Sequence, residues 1–296
     1  MGVGPHAPKR MTALELDRVS RTFETPDGRE YCALAEISLV VPSGSFLAVV
    51  GPSGCGKSTL LNIAAGLLAP STGGVRVLGD PLTGLNRRAT YMFQQDALLP
   101  WKDVRDNVAL GLTFAGVGRA EANGRADRWL ARVGLTAFAR HFPAQLSGGM
   151  RKRVAMAQNW IIDREILLMD EPFGALDVHT RQRMESELLA LWEQSGGPDD
   201  LAVGHAPTGS VPASRKTVIF VTHDLEEAIA LADDVVVLSA GPASRVVSQH
   251  RVTLERPRDL LDLRTQPAFV DLYRSIWADL RQEVIRSQRG AEAIGG

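Results

Sequence analysis

An α/β fold with an antiparallel β opening and a helical insert is the architecture this sequence predicts, and three observations predict it. Short apolar strands alternate with stretches of helical period along most of the 296 residues. The apolar run Phe46–Val50 passes straight through a glycine-rich turn into a helical stretch. Between about Ala97 and Ile162 the strand signal disappears and only helical patterns remain.

The elements follow in order. Residues 1–10 (MGVGPHAPKR) lack periodicity and read as a flexible tail, with Met11 an alternative start. Ala13–Val19 alternates apolar and polar residues, and Tyr31–Val41 and Phe46–Val50 are apolar strands. Thr25–Arg29 (TPDGR) is a turn signal between the first two. Ser58–Leu68 is helical, and Val75–Leu78 and Thr90–Phe93 are short strands. Val104–Phe114, Ala120–Val133 and Met150–Ile162 are the helices of the insert. Strands return at Ile166–Met169, Val218–Thr222 and Val235–Ser239, separated by helical runs. Ser195–Lys216 is crowded with Gly, Pro and Ser, which predicts a disordered insertion at about 195–216. From Arg256 onward the pattern is helical and polar, with Phe269, Leu272, Ile276 and Leu280 on one face. The expected division is therefore a tail at 1–10, one domain over 11–255 with a helical subdomain at about 97–162, and a C-terminal helical extension at 256–296.

Composition excludes several classes. The chain is 45% hydrophobic and 23% charged, unlike a disordered or collagen-like chain. Its 33 basic and 34 acidic residues nearly cancel, so no basic excess points to nucleic acid. Cys32 and Cys55 are its only cysteines, and neither a disulfide nor a zinc site is expected. Apolar stretches such as Leu60–Leu68 fall short of the roughly 18–20 residues that span a bilayer. No apolar segment follows the N-terminal residues, so the chain is expected to stay in the cytoplasm.

The chemistry begins at Gly51, Pro52, Ser53, Gly54, Cys55, Gly56, Lys57 and Ser58, which match GxxxxGK[ST] after a strand and before a helix. Glycines let successive backbone N–H groups turn inward around phosphate oxygens, and the helix N-terminus adds partial positive charge. Lys57 is placed to reach the β- and γ-phosphates, and Ser58 to hold Mg²⁺. Ile166–Asp170 is an apolar strand followed by Glu171; strand alternation would turn Asp170 and Glu171 opposite ways, one toward Mg²⁺ and one toward an attacking water. Ser147 is a good N-cap for the next helix, but capping does not explain Gly148 and Gly149 where that helix begins. His223 follows an apolar strand; alone it is ordinary, and motif order favours contact with a γ-phosphate. Cys55 sits at a helix N-terminus, where thiol pKa values tend to fall, but a packed, inert small residue is the better reading of it.

In order, GPSGCGKST, MFQQ, LSGGM, ILLMDEP, GALD and FVTHD resemble the nucleotide-binding subunit of an ATP-binding cassette (ABC) transporter, a P-loop NTPase, from about Leu14 to Ser248. The resemblance implies that Gly51–Thr59 bind ATP and that Gln94, beside Gln95, is the glutamine sensing Mg²⁺ and the membrane partner. It implies that Asp170 holds the metal, that Glu171 is the catalytic base and that His223 is the switch histidine. It places Ser147, Gly148 and Gly149 against the γ-phosphate bound by the opposite subunit, Asp177 across the dimer interface, and Phe23 on the adenine. Met150 stands where glutamine is usual, and Gln158–Asn159–Trp160 also departs from the common pattern. Met150, Leu98–Trp101 (LLPW) and Phe173–Asp177 (FGALD) are similar to the branch that imports nitrate, sulfonate or taurine. The implied partners are an integral membrane permease, a periplasmic or extracellular solute-binding protein, and a second ATPase chain, identical or related, at the cytoplasmic face of the membrane. Leu98–Trp101 is either the permease contact or core filling of the insert. The alternative function is a non-transport ABC ATPase in a cytoplasmic complex.

Overall fold

A computed structural model describes residues 11–195 and 215–295. The expected tail at 1–10 and most of the expected insertion, 196–214, lie outside the described residues. The chain opens with strands β1 (Thr12–Glu24), β2 (Glu30–Pro42) and β3 (Phe46–Val50), followed by helix α1 (Lys57–Ala64). Short strands β4 (Thr72–Val77), β5 (Asp80–Pro81) and β6 (Ala89–Met92) come next, then the helical insert with α2 (Val104–Phe114), α3 (Arg119–Arg132) and α4 (Gly148–Trp160). The second half alternates β7 (Ile166–Asp170), α5 (Val178–Gln194), β8 (Thr217–Val221), α6 (Leu225–Leu231) and β9 (Asp234–Leu238). Strand β10 (Val246–Arg251), the short α7 (Leu260–Leu263) and the long α8 (Pro267–Gly295) close it.

Two sheets result. The antiparallel one runs β2-β1-β4-β5, and the larger one runs β10-β9-β3-β8-β7-β6, in which every pairing except β10–β9 is parallel. Every residue of β3, β8 and β9 is buried, as expected of parallel strands covered on both faces, and this is why they read as unbroken apolar runs. Val49 pairs with Val221, and Asp170 also pairs with Val221. Residues 51, 171 and 222 therefore leave one edge of the sheet side by side, at the carboxyl ends where open α/β sheets place ligands.

Three apolar clusters hold the layers. On one face of the parallel sheet, Leu60, Leu61 and Ile63 of α1 pack with Leu14, Leu16 and Val41 of the antiparallel sheet. On the other, Phe46, Phe173, Phe220 and Trp192 pack with Phe269, Ile276 and Leu280 of α8. The insert has its own core of Val104, Val108, Leu112, Ala126, Leu130 and Val154. The predicted apolar face of the C-terminal helix thus lies in the main core, with Leu272 half-buried against it.

Two elements differ most in length from the sequence expectation. Strand β1 runs on to Glu24 because the alternation is interrupted, not ended: Arg18 adopts φ 46° and the β1–β2 register shifts between Leu16 and Val19. Helix α1 stops at Ala64 because the amides of Leu67 and Leu68 both fold back onto Asn62 O. The TPDGR turn forms as expected, with the Thr25 amide donating to Arg29 O at 2.8 Å.

Trp192 holds the described residues on either side of 196–214. Its ring stands edge-on to Phe46 at 5.5 Å, under the guanidiniums of Arg215 and Arg256 at 5.2 and 4.5 Å. Its indole N–H donates to Lys216 O at 2.7 Å, and Ser195 Oγ donates to Trp192 O at 2.6 Å. Trp192→Ala is expected to cost about 3–5 kcal/mol of stability, read as a lower urea midpoint; a loss under about 1 kcal/mol would contradict this packing role.

Candidate nucleotide site

Gly51–Lys57 wraps from β3 into α1. Gly56 caps the helix at φ +89°, and a Cβ there would stand 2.8 Å from Leu34 Cδ2, so the position takes only glycine. No side chain caps the start of α1, and the N–H groups of a helix's first turn have no partner within the helix, which makes such a terminus a ready anion site. Lys57 is buried, and its ammonium donates to Gly51 O at 2.9 Å and Pro52 O at 3.0 Å. An ammonium has three donors, so one remains for a ligand oxygen. Cys55 is fully buried under the loop, and burial pushes its thiol up despite Lys57 and the nearby amides. The packed, inert reading of Cys55 holds, because desolvation outweighs the helix terminus. Iodoacetamide at neutral pH is expected to leave Cys55 unlabelled until the chain unfolds, as read by mass spectrometry; labelling of the folded chain at the denatured rate would contradict it.

The loop's flank includes Tyr31. A Cβ on Gly241 would lie 3.3 Å from Gly54 O and 3.6 Å from the Tyr31 hydroxyl, which places that phenol at the loop. Phe23 is the cross-strand partner of Tyr31, half-buried, with the Arg21 guanidinium 4.6 Å over its ring.

The carboxylates sit across from the loop. Ser58 Oγ donates to Asp170 Oδ1 at 3.0 Å and the Tyr91 hydroxyl to Oδ2 at 3.3 Å. Burial raises the Asp170 pKa, opposed by those two hydrogen bonds, and burial beside Asp170 pushes the Tyr91 phenol up. Glu171 lies beyond the strand at φ 42°, its amide donating to Val221 O at 2.9 Å. The two acids do reach different partners, but the cause differs from the expectation: β7 ends at Asp170 and a left-handed turn redirects Glu171. Glu171 Oε2 meets His223 Nδ1 at 3.2 Å and Gln94 Nε2 at 3.5 Å. Two predicted residues from separate segments thus converge on one oxygen of a third.

A second group stands apart. Ser147 Oγ accepts the Met150 amide at 3.3 Å, the expected cap. A Cβ on Gly149 would lie 2.9 Å from Thr180 Cγ2, so α4 and α5 meet N-terminus to N-terminus. Asp177 caps α5 by accepting the Thr180 amide at 3.0 Å, and hydrogen bonds from Thr180 lower its pKa. Among the described residues, Ser147, Gly148, Gly149 and Asp177 make no hydrogen bond to Gly51–Thr59, Asp170, Glu171 or His223.

Sequence reading missed the residues that tie the Gln94 turn to α4. Lys152, one of five lysines and almost wholly buried, donates to Gln94 O and pairs with Asp96, both at 2.8 Å. Arg151 bonds Asp96 Oδ2 at 3.2 Å and Leu146 O at 2.7 Å. The available signal was a lysine within an otherwise buried helical face. Leu98–Trp101 divides between its two readings: Leu98 packs against two cores, whereas Trp101 is 71% exposed. Phe93 and Phe114 are also exposed and line a cleft of about 490 Å³ with Leu110, Gln158 and Asn159. No helix among the described residues is long and apolar enough to cross a membrane.

The chain is similar to known proteins. A family model described as ABC transporter matches residues 34–174. The nitrate import ATP-binding protein NrtD of Synechococcus elongatus is 39% identical over 261 residues, 88% of each chain. The taurine import ATP-binding protein TauB of Roseobacter denitrificans is 36% identical over 288 residues, covering 95% of this chain and 100% of TauB. The ATP-binding cassette MJ0796, solved as a dimer and as a dimer in a post-hydrolysis state bound to ADP and Pi, is 30% identical, with TM-scores of 0.66 and 0.65 over 82% of this chain and all of that one. With a phosphate cradle, an Asp–Ser pair and a Glu–His–Gln cluster at the same sheet edge, this chain belongs to the ABC transporter family, as one of its ATP-binding cassette ATPases.

Proposed function

We propose that the chain is the ATP-hydrolysing subunit of an importer for a small organic or inorganic anion, nitrate-, sulfonate- or taurine-like, working on a separate permease at the cytoplasmic face of the membrane. The convergence of Gln94 and His223 on Glu171 Oε2 carries this reading. The import names of NrtD and TauB favour it over a non-transport ATPase.

Each residue has a part. The α1 amides and the remaining donor of Lys57 hold the β- and γ-phosphates of ATP, with Gly51–Thr59 as the cradle. Phe23 stacks on the adenine. Ser58 and Asp170 offer a hydroxyl and a carboxylate 3.0 Å apart, hard oxygen donors that fit Mg²⁺, with Gln94 adding a third. Mg²⁺, when bound, neutralises charge on the phosphate oxygens. Glu171 takes the proton of the attacking water, and His223 orients that carboxylate and meets the γ-phosphate. Ser147–Gly149 and Asp177 lie apart from their own cradle, which supports their serving the nucleotide of a second, identical or related chain. ATP then stabilises the closed pair by differential affinity, and hydrolysis releases it.

Exposed Phe93 and Phe114 lining one cleft, with Trp101 exposed a few residues on from Phe93, support a permease contact on this side of the insert, since exposed aromatics mark interfaces. The Lys152–Asp96 link connects that surface to the Gln94 turn. A solute-binding protein outside the membrane selects the solute. Affinity purification of the tagged chain from detergent-solubilised membranes is expected to bring down a multi-span membrane protein, lost on Trp101→Glu. Recovery from the soluble fraction alone would contradict the transport reading.

A further inference from the structure

The His223 turn is braced by a cluster of charges, of which Arg181, Glu185, Glu226, Glu227 and Arg264 lie outside every motif. Thr222 Oγ1 donates to Glu227 Oε2 at 2.7 Å and accepts the Asp224 amide at 3.0 Å, so both neighbours of His223 are held. Arg181 donates to Asp224 Oδ2 at 3.2 Å and to Leu176 O, in the turn before Asp177, also at 3.2 Å. Its Nε lies 3.7 Å from Glu227. Arg264, in the link between α7 and α8, donates to Glu185 Oε2 at 3.0 Å and pairs with Glu226 at 3.0 Å. A cleft of about 380 Å³ opens among Arg181, His223, Asp224, Arg264, Tyr273 and Trp277.

Positive charge is scarce here. Arg181 and Arg264 serve Asp224, Glu185, Glu226 and Glu227, of which Glu185 and Glu227 are buried. Burial, with Asp224 and Glu185 adding to it, pushes the Glu227 carboxyl up to about 7, and burial raises Glu185 too. Glu185 has one oxygen bonded to Arg264 and the other without a hydrogen-bond partner. Removing Arg264 leaves that carboxylate buried and uncompensated, a costly state that relaxes by protonation or movement. Asp224 and Glu227 share the cluster, and they are the groups holding the His223 turn.

We propose that Arg264 is a positioning residue for ATP hydrolysis: supplied by the C-terminal segment, it balances Glu185 and Glu226 so that Arg181, Asp224 and Glu227 hold the His223 and Leu176–Asp177 turns in place. The inference rests on the hydrolytic role of His223 given above. It assigns the segment around α7 and α8, which lies beyond the 34–174 family match, a part in setting the rate.

The test is steady-state ATP hydrolysis by the full chain, with kcat expressed per ATP-binding site so that misfolded protein does not count. Arg264→Met is expected to lower kcat about tenfold or more, since small misplacements of catalytic groups are expensive, with KM for ATP within about twofold of wild type. Arg264→Lys, which keeps the charge, restores most of the rate. Adding Glu185→Gln to Arg264→Met also restores it, because the charge to be balanced is gone. An unchanged kcat in Arg264→Met, or equal losses in Met and Lys with no recovery through Glu185→Gln, overturns the proposal while leaving the hydrolytic reading standing. A wild-type chain that does not hydrolyse ATP, or one indifferent to Glu171→Gln, overturns both.

Discussion

Glutamine in place of Glu171 is expected to leave ATP binding intact and to lower kcat by about 10²–10⁴-fold, the range a positioned general base supplies. The side chain keeps its shape and can still meet Gln94 and His223, so the fold and the nucleotide cradle are undisturbed. What disappears is the proton acceptor. The bound, unhydrolysed nucleotide then holds the closed state, and the variant is expected to run as a stable dimer with ATP in size-exclusion chromatography. Dimers that turn over at the wild-type rate would remove Glu171 from the reaction.

Lys57→Ala is expected to act on binding instead. The ammonium is buried within the loop by two carbonyls, with one donor left over. Charged hydrogen bonds contribute roughly 1.5–3 kcal/mol each, so losing the phosphate contact predicts an ATP affinity about 10–100-fold weaker by equilibrium titration. An unchanged affinity would mean that the α1 amides alone hold the phosphates. Together the two variants separate the roles: Lys57 moves Kd and Glu171 moves kcat.

The residues legible in the sequence were those whose chemistry is local. The Gly51–Ser58 cradle is a contiguous strand, turn and helix, and its glycines, lysine and serine are read from spacing alone. Buried parallel strands announce themselves as apolar runs, so β3, β7, β8 and β9 were found within a residue or two at their ends. The cap at Ser147 was equally local. Contacts between distant segments were not legible. Tyr91 on Asp170, Lys152 on Gln94 O, and Arg264 on Glu185 each pair residues tens of positions apart. The turn at Glu171 was missed because a left-handed φ on a glutamate has no compositional mark. Spacing alone left two readings of Cys55 open, and its complete burial decides for the packed, inert one.

Reconstitution tests the central claim most directly. The tagged chain, purified with its membrane partner, is placed in liposomes with ATP inside and solute-binding protein outside, and uptake of labelled nitrate, taurine or a sulfonate is followed. The account predicts uptake that requires ATP, is accompanied by phosphate release inside, and is abolished by Glu171→Gln. Phosphate release that is indifferent to the membrane partner and to every solute, with no uptake, would contradict it.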